Sequence, residues 1–168
     1  MFLVWPTGLR LFFGADKEIS YSAGFDFTTC SGFLANESID SDRCRAEYRI
    51  ALGNTGSEVQ EQILLELAPV PPTWRLGVNV TDIVASAKEK VQPVIEHQQT
   101  GEKLNISIEN LQPNRMVRLQ IVTIGAEAAE LLATTEAHIL SAGEVVESNP
   151  ELTVVARFFR SVFSVFGF

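Results

Sequence analysis

Apolar and polar residues alternate most cleanly over positions 44–52. There Cys44, Ala46, Tyr48, Ile50 and Leu52 fall in one phase and Arg45, Glu47 and Arg49 in the other. Successive side chains of a strand point to opposite faces, so the pattern predicts a strand with one face buried. Gly53-Asn-Thr-Gly56 stops it with residues that tolerate positive φ, and Val59, Glu61, Ile63, Leu65 and Leu67 resume the alternation. The two runs read as an antiparallel pair joined by a short polar loop. A second pair of the same kind is expected where Leu104, Ile106 and Ile108 lead through Leu111-Gln-Pro-Asn114 into Val117, Leu119, Ile121 and Thr123.

Ala68-Pro-Val-Pro-Pro72 lacks a backbone donor at three positions, which suits an extended crossing between sheets or an edge. Trp74, Leu76, Val78 and Val80 alternate with Arg75, Gly77, Asn79 and Thr81 as a further strand, and Val91–Ile95 fits another around Pro93. Asp82–Lys90 fits either a short helix or a loop. After Gly125 the alanine-rich stretch 126–132 suits a helix, and residues 134–140 suit a last strand closing the sheet. Short strands at turn-separated intervals, with no helical stretches between them, predict a mainly β fold, an antiparallel sandwich.

The pattern changes at Asn149-Pro150-Glu151, an N-cap residue followed by proline at the first helical position and an acid in the first turn. On a helical wheel Leu152, Val155, Phe158, Phe159, Val162, Phe163 and Phe166 share one face, and Thr153, Arg157, Arg160, Ser161 and Ser164 the other. The expectation is a β-sandwich over 1–148, with an N-terminal strand extension, and an amphipathic Phe-rich helix over 149–168. That helix either docks on its own sandwich or contacts a protein partner, a second copy or a membrane surface. The contact residues would be Phe158, Phe159, Phe163, Phe166, Arg157 and Arg160. Two cations are few for binding anionic lipid, which favours the protein partner.

Charge removes one class of partner. The chain has 168 residues and a formal net charge of −8, so it offers phosphate backbones no long-range attraction, and nucleic acid is not expected. The N-terminal stretch MFLVWPTGLRLFFG is interrupted by Pro6, Gly8 and Arg10. It falls short of a bilayer span and lacks the order of a secretory signal, so export would need another segment or a longer precursor. The compartment stays open between cytoplasmic, membrane-peripheral and extracytoplasmic. Cys30 and Cys44 either bridge in an oxidising environment or stand as two thiols.

Chemistry-bearing motifs are sparse. His97, in the polar run Glu96–Thr100, reads as a solvated loop residue, and His138 as a satisfied strand residue; neither stands in a catalytic motif. No P-loop, dinucleotide or G-x-S-x-G pattern is present, so no catalytic residue and no cofactor is expected. Zinc spacing is absent. The loop Asn36-Glu-Ser-Ile-Asp-Ser-Asp42 offers oxygen ligands but lacks the glycine and terminal acid of an EF-hand, so no metal is assigned. Asn36, Asn79 and Asn105 fit the glycosylation triplet, which matters only in a glycosylating secretory route. A hydrolase or lyase built from Asp40, Asp42, Glu61 and Glu96 is the remaining enzymatic alternative.

Tyr48-Arg-Ile-Ala-Leu-Gly-Asn-Thr-Gly56, then Leu104-Asn-Ile-Ser-Ile-Glu-Asn-Leu-Gln-Pro113 and residues 117–121, resemble bacterial immunoglobulin-like modules of the CARDB type over about residues 44–124. Lys17-Glu-Ile-Ser-Tyr21 is similar to the strand that opens such domains after a membrane anchor. The resemblance implies an immunoglobulin-like sandwich used for adhesion, spacing or protein contact, with no catalytic residues to carry over. The expected function is therefore a non-enzymatic protein-binding or scaffolding module contacting partners through a sheet edge, loops or the C-terminal helix. The alternative is a peripheral membrane protein held by that helix.

Overall fold

A computed structural model describes residues 17–30, 44–84, 91–156 and 159. Nine strands are present among them: β1 (Glu18–Cys30), β2 (Cys44–Asn54), β3 (Gln60–Ala68), β4 (Arg75–Asp82), β5 (Val94–Thr100), β6 (Lys103–Leu111), β7 (Arg115–Ile124), β8 (Glu136–Ser141) and β9 (Glu144–Glu147). One helix, α1 (Ala126–Ala133), separates β7 from β8. The strands form a five-stranded sheet in the order β4-β7-β2-β1-β9 and a four-stranded sheet in the order β5-β6-β3-β8. The fold is a mainly β sandwich, antiparallel except that β9 pairs parallel with β1.

The alternating residues make the core. Ala46, Tyr48, Ile50 and Leu52 of β2 and Val117, Leu119 and Ile121 of β7 face Ile63, Leu65 and Leu67 of β3 and Leu104, Ile106 and Ile108 of β6. Each of these side chains is at most 5% exposed. Two buried layers facing one another across the inter-sheet space are the stable way to cover one-sided strands.

Both inferred hairpins are corrected. β2 pairs with β1 and β7, whereas β3 pairs with β6 and β8, so the turn at 53–56 carries the chain from one sheet to the other. The corner at 111–114 does the same between β6 and β7. Alternation reports only which side chains are buried, and a strand buried against the opposite sheet shows the same period as one paired with its neighbour. Asn54, fully buried, ties the two corners together. Its side-chain amide donates to the Leu111 carbonyl (2.8 Å) and the Glu58 carbonyl (2.7 Å), and its own carbonyl accepts from the Asn114 N–H (2.8 Å). A tight hairpin joins β5 and β6 through Gly101, at φ 62°, and Glu102.

Other expectations also shift. The polar run Glu96–Thr100 is not a loop but most of β5, which starts after Pro93. Residues 136–141 form β8, which ends the four-stranded sheet as expected, but it is not the last strand: β9, absent from the expectation, follows it and ends the five-stranded sheet. The Pro-rich stretch 69–72 crosses between sheets as expected, and residues 126–133 are helical. Cys44 is disulfide-bonded and lies opposite Cys30 in the β1/β2 ladder, which decides between the two readings of the cysteines. Of residues 82–90, 85–90 lie outside the described residues.

β9 reaches β1 through a close approach. A Cβ on Gly143 would stand 2.4 Å from the Lys17 carbonyl oxygen and 2.7 Å from its carbon, both backbone atoms that cannot swing aside. Gly143→Ala is therefore expected to loosen β9 from β1, costing about 1–3 kcal/mol as other overpacked positions do. Native-state hydrogen exchange checks this: amides of 144–147 lose protection while those of β2 and β7 keep theirs.

The C-terminal helix begins as expected. The Asn149 side chain accepts from the N–H groups of Glu151 (3.0 Å) and Leu152 (3.4 Å), and residues 150–156 and 159 are helical. Pro150 is buried over Gly53, where an added Cβ would come within 2.6 Å of the proline's own. The helix thus starts on the outer face of the five-stranded sheet, and its apolar residues Leu152, Val155 and Phe159 are 67, 48 and 52% exposed.

Candidate functional site

The two sheets turn very different outer faces to solvent. On the five-stranded sheet the outward positions include Gly24, Ala51, Gly53 and Gly77, and the charged groups among them are tied to one another. Glu47 contacts Arg45 (2.7 Å), Arg49 (2.8 Å) and Gln120 (2.6 Å), Arg49 reaches Asp26 (2.5 Å), and Arg118 reaches Glu151 of the C-terminal helix (2.5 Å). The hydrogen bond from Arg49 holds the Glu47 carboxyl below the usual range against the opposing effect of burial, with Gln120 and the charge of Arg45 adding to it. A concavity of about 900 Å³ lies over this face, lined by small residues such as Gly24, Ala51 and Gly77, by the paired Asp26, Arg49, Arg118 and Gln120, and by Phe25, Val78 and Asn79.

A depressed carboxyl makes the folded state bind its proton more weakly than the unfolded chain does. The stability that Glu47 contributes is therefore present above the unfolded value, near pH 4–5, and is lost as pH falls through the folded value. The effect is expected to be about 0.5–1 kcal/mol and to shrink with salt. Melting curves between about pH 6 and 3 check it: Glu47→Gln should show a shallower acid loss than the parent chain.

The four-stranded sheet is different. Its register sets Glu96, Ser107, Leu64 and Leu140 in one row across β5, β6, β3 and β8, and Gln98, Asn105, Glu66 and His138 in the next. Leu64 is 44% exposed and Leu140 67% exposed, directly opposite one another, and Val94 on β5 is 48% exposed. Polar groups surround this apolar centre, and Glu66, Glu96 and Glu109 outnumber Lys103, which is itself bound to Glu66 at 3.0 Å. A concavity of about 580 Å³ lies over Leu64, Glu96, Asn105, Ser107 and Leu140.

This apolar pair was missed in the sequence, yet it left a signal. Ile63-Leu64-Leu65, Ile139-Leu140 and Val94-Ile95 each place an apolar residue in the phase that ought to be polar. An out-of-phase apolar residue on a half-buried strand is one that solvent would not select.

The sequence-predicted contact residues fare unevenly. Phe159 is helical and half exposed, whereas Phe158, Phe163, Phe166, Arg157 and Arg160 lie outside the described residues, as does the Asn36–Asp42 loop with Asp40 and Asp42. Glu61 and Glu96 are both exposed but sit on β3 and β5 with β6 between them. His97 is a strand residue whose ring meets Trp74 edge-on at 5.4 Å, and Trp74 donates to Gln99. His138 is exposed beside Glu136 (3.8 Å). Asn79 and Asn105 are exposed strand residues, and Asn36 lies outside the described residues. Burial raises the Tyr48 phenol above its ordinary value, with Tyr21, Glu136 and Glu147 adding to it. Among the described residues there is no group of three or more His, Cys, Asp or Glu side chains placed to hold a metal, and no helix long and apolar enough to cross a membrane.

No known family profile matches the chain, and no curated protein matches it. One solved structure, the carbohydrate-binding module CBM3b from the cellulosomal cellobiohydrolase 9A of Clostridium thermocellum, aligns with it at a TM-score of 0.34 and 12% identity. The alignment covers 77% of this chain and 98% of that one. A likeness at that level says nothing of what either face binds.

Proposed function

We propose that the chain is a non-enzymatic protein-binding module whose docking surface is the outer face of the four-stranded sheet. The observation that carries this is the exposed Leu64–Leu140 pair at the centre of a polar, acid-rich face. An apolar centre inside a polar rim is the anatomy of a protein contact. The excess of carboxylates selects the partner's chemistry: a segment presenting Leu or Phe flanked by Lys and Arg. The turns at 53–56 and 111–114 that resemble CARDB-type modules fit the same class of role.

Synthetic peptides of that composition, with charge-reversed versions in which Glu replaces each cation, serve as probes. The parent chain is expected to bind the basic peptides and not the acidic ones. The double variant Leu64→Asp, Leu140→Asp should weaken binding at least about thirtyfold, or about 2 kcal/mol, with an unchanged melting profile. Equal binding by the double variant overturns the proposal.

A second reading rests on exposed Leu152, Val155 and Phe159: the helix over 149–168 acts as an external contact element of a sandwich formed by 1–148, touching a protein or a membrane surface. Flotation with liposomes, comparing the full chain with a form ending at Ser148, tests the membrane version. Equal flotation of both forms removes it.

A further inference from the structure

On its outer face β6 carries two short side chains, Asn105 and Ser107. They lie between Glu96 and Gln98 of β5 on one side and Leu64 and Glu66 of β3 on the other, and this step in height makes the concavity over the four-stranded sheet. Two carboxylates line it. Glu66 is held by Lys103 at 3.0 Å, whereas among the described residues the Glu96 side chain has neither an ion pair nor a hydrogen bond. Glu109, also unpaired, stands a row away opposite Val94 and Gln62. Glu96 is therefore the lining carboxylate that is open to a cation. Ser107, directly opposite it, has a covered hydroxyl with no hydrogen-bond partner among the described residues. A covered hydroxyl without a partner is unfavourable where it stands, and the other staggered χ1 wells let it turn toward the concavity that Ser107 lines.

We propose that this concavity holds one cationic side chain, lysine or arginine, of the segment that docks on the face, with its head on Glu96 and its aliphatic stem along Leu64. The assignment rests on the docking-face reading above and adds which carboxylate receives the cation and from which side. Glu96, the Ser107 hydroxyl and the Asn105 side-chain oxygen supply acceptors to a head that only donates. A hydrogen bond between charged groups is stronger than one between neutral ones, so Glu96 leads. Lys103 does not compete for it, being engaged by Glu66. Leu64 lies in the same row as Glu96, two strands away, about 10 Å at the usual strand spacing. A cationic side chain is apolar up to its charge, so its stem covers Leu64 while its head reaches Glu96. Leu140, next in the row, is left for an apolar neighbour of the cation. The row thus orients the partner, cation toward β5 and apolar side chain toward β8.

Affinities of the basic and charge-reversed peptides for a Glu96→Lys variant of the full chain test the assignment. Glu130→Lys, at an exposed position of α1, makes the same change in net charge away from the face. Glu96→Lys is expected to bind the basic peptides at least about tenfold more weakly and to bind the charge-reversed ones that the parent does not. Glu130→Lys should stay within about twofold of the parent for both. Ser107→Ala should weaken the basic peptides about threefold without lowering the melting midpoint, which a hydroxyl with a structural role would lower. If Glu96→Lys binds the basic peptides as the parent does, or loses both kinds alike, the cation sits elsewhere. The assignment is then overturned, and the docking face stands as long as Leu64→Asp, Leu140→Asp still abolishes binding. A parent chain that binds no basic peptide overturns the docking face and the assignment together. Should Glu96→Lys fail to fold, Glu96→Gln decides: about fivefold weaker binding of the basic peptides supports the assignment, and parental affinity overturns it.

Discussion

Asn54→Ala is expected to lower the stability of the sandwich by about 3–4 kcal/mol, more than any substitution of a surface charge on this chain. The side chain is fully buried at the end of β2. Its amide nitrogen serves two carbonyls, Glu58 and Leu111, and its oxygen accepts from the Gly56 N–H at 3.1 Å. Alanine leaves the two carbonyls without that donor, while the Gly56 N–H keeps its second acceptor, the Glu18 carbonyl (3.2 Å); a buried polar group stripped of its partner costs about 1–3 kcal/mol. The loss falls on both inter-sheet crossings at once, since the bond to Leu111 spans 57 residues of sequence. Aspartate should not rescue it, because it offers acceptors to two carbonyls that need a donor. In urea the midpoint is expected to fall with an unchanged slope, the sign of lost stability without a change in the surface exposed. A variant within about 0.5 kcal/mol of the parent would show that the corners are held by other contacts.

Reduction of the disulfide is expected to have the next largest effect, about 3 kcal/mol. Cys44 is 3% exposed, bonded, and opposite Cys30 at the far end of the β1/β2 ladder, beyond the register shift between Asp26 and Thr29. The bond closes a loop of 15 residues, both cysteines counted. Constraining a loop of that length in the unfolded chain stabilises by about 3 kcal/mol on the chain-entropy view. Guanidinium unfolding with and without reductant, alongside Cys44→Ala, measures it: reduced parent and variant should both fall, and reductant should not shift the variant further. Equal midpoints for reduced and oxidised parent would contradict the assignment.

How much of this was legible in the sequence depends on what each pattern encodes. The buried phase of β2, β3, β6 and β7 was, because alternation states which side chains leave water. Which strand lies beside which was not, because the same alternation serves a hairpin and a corner between sheets. β9 was hidden because four residues, Glu144–Glu147, carry too few alternations, and its pairing with β1 reaches across more than a hundred residues. β5 was misplaced because an edge strand with one half-exposed face, such as Glu96–Thr100, needs few apolar residues. The helix start at Asn149-Pro150 was readable because capping is local chemistry. The docking face was not, since it is assembled from single residues on four strands, and Leu64 and Leu140 become neighbours only through the β3/β8 register.

The measurement that bears most directly on the proposed docking face is an amide chemical-shift map of the full chain titrated with the basic, apolar peptide. Shifts centred on Leu64, Asn105, Ser107 and Leu140, absent with the charge-reversed peptide, are the expected result. Shifts confined to residues 152–159 or to the outer face of the five-stranded sheet, with β3, β6 and β8 silent, would contradict it.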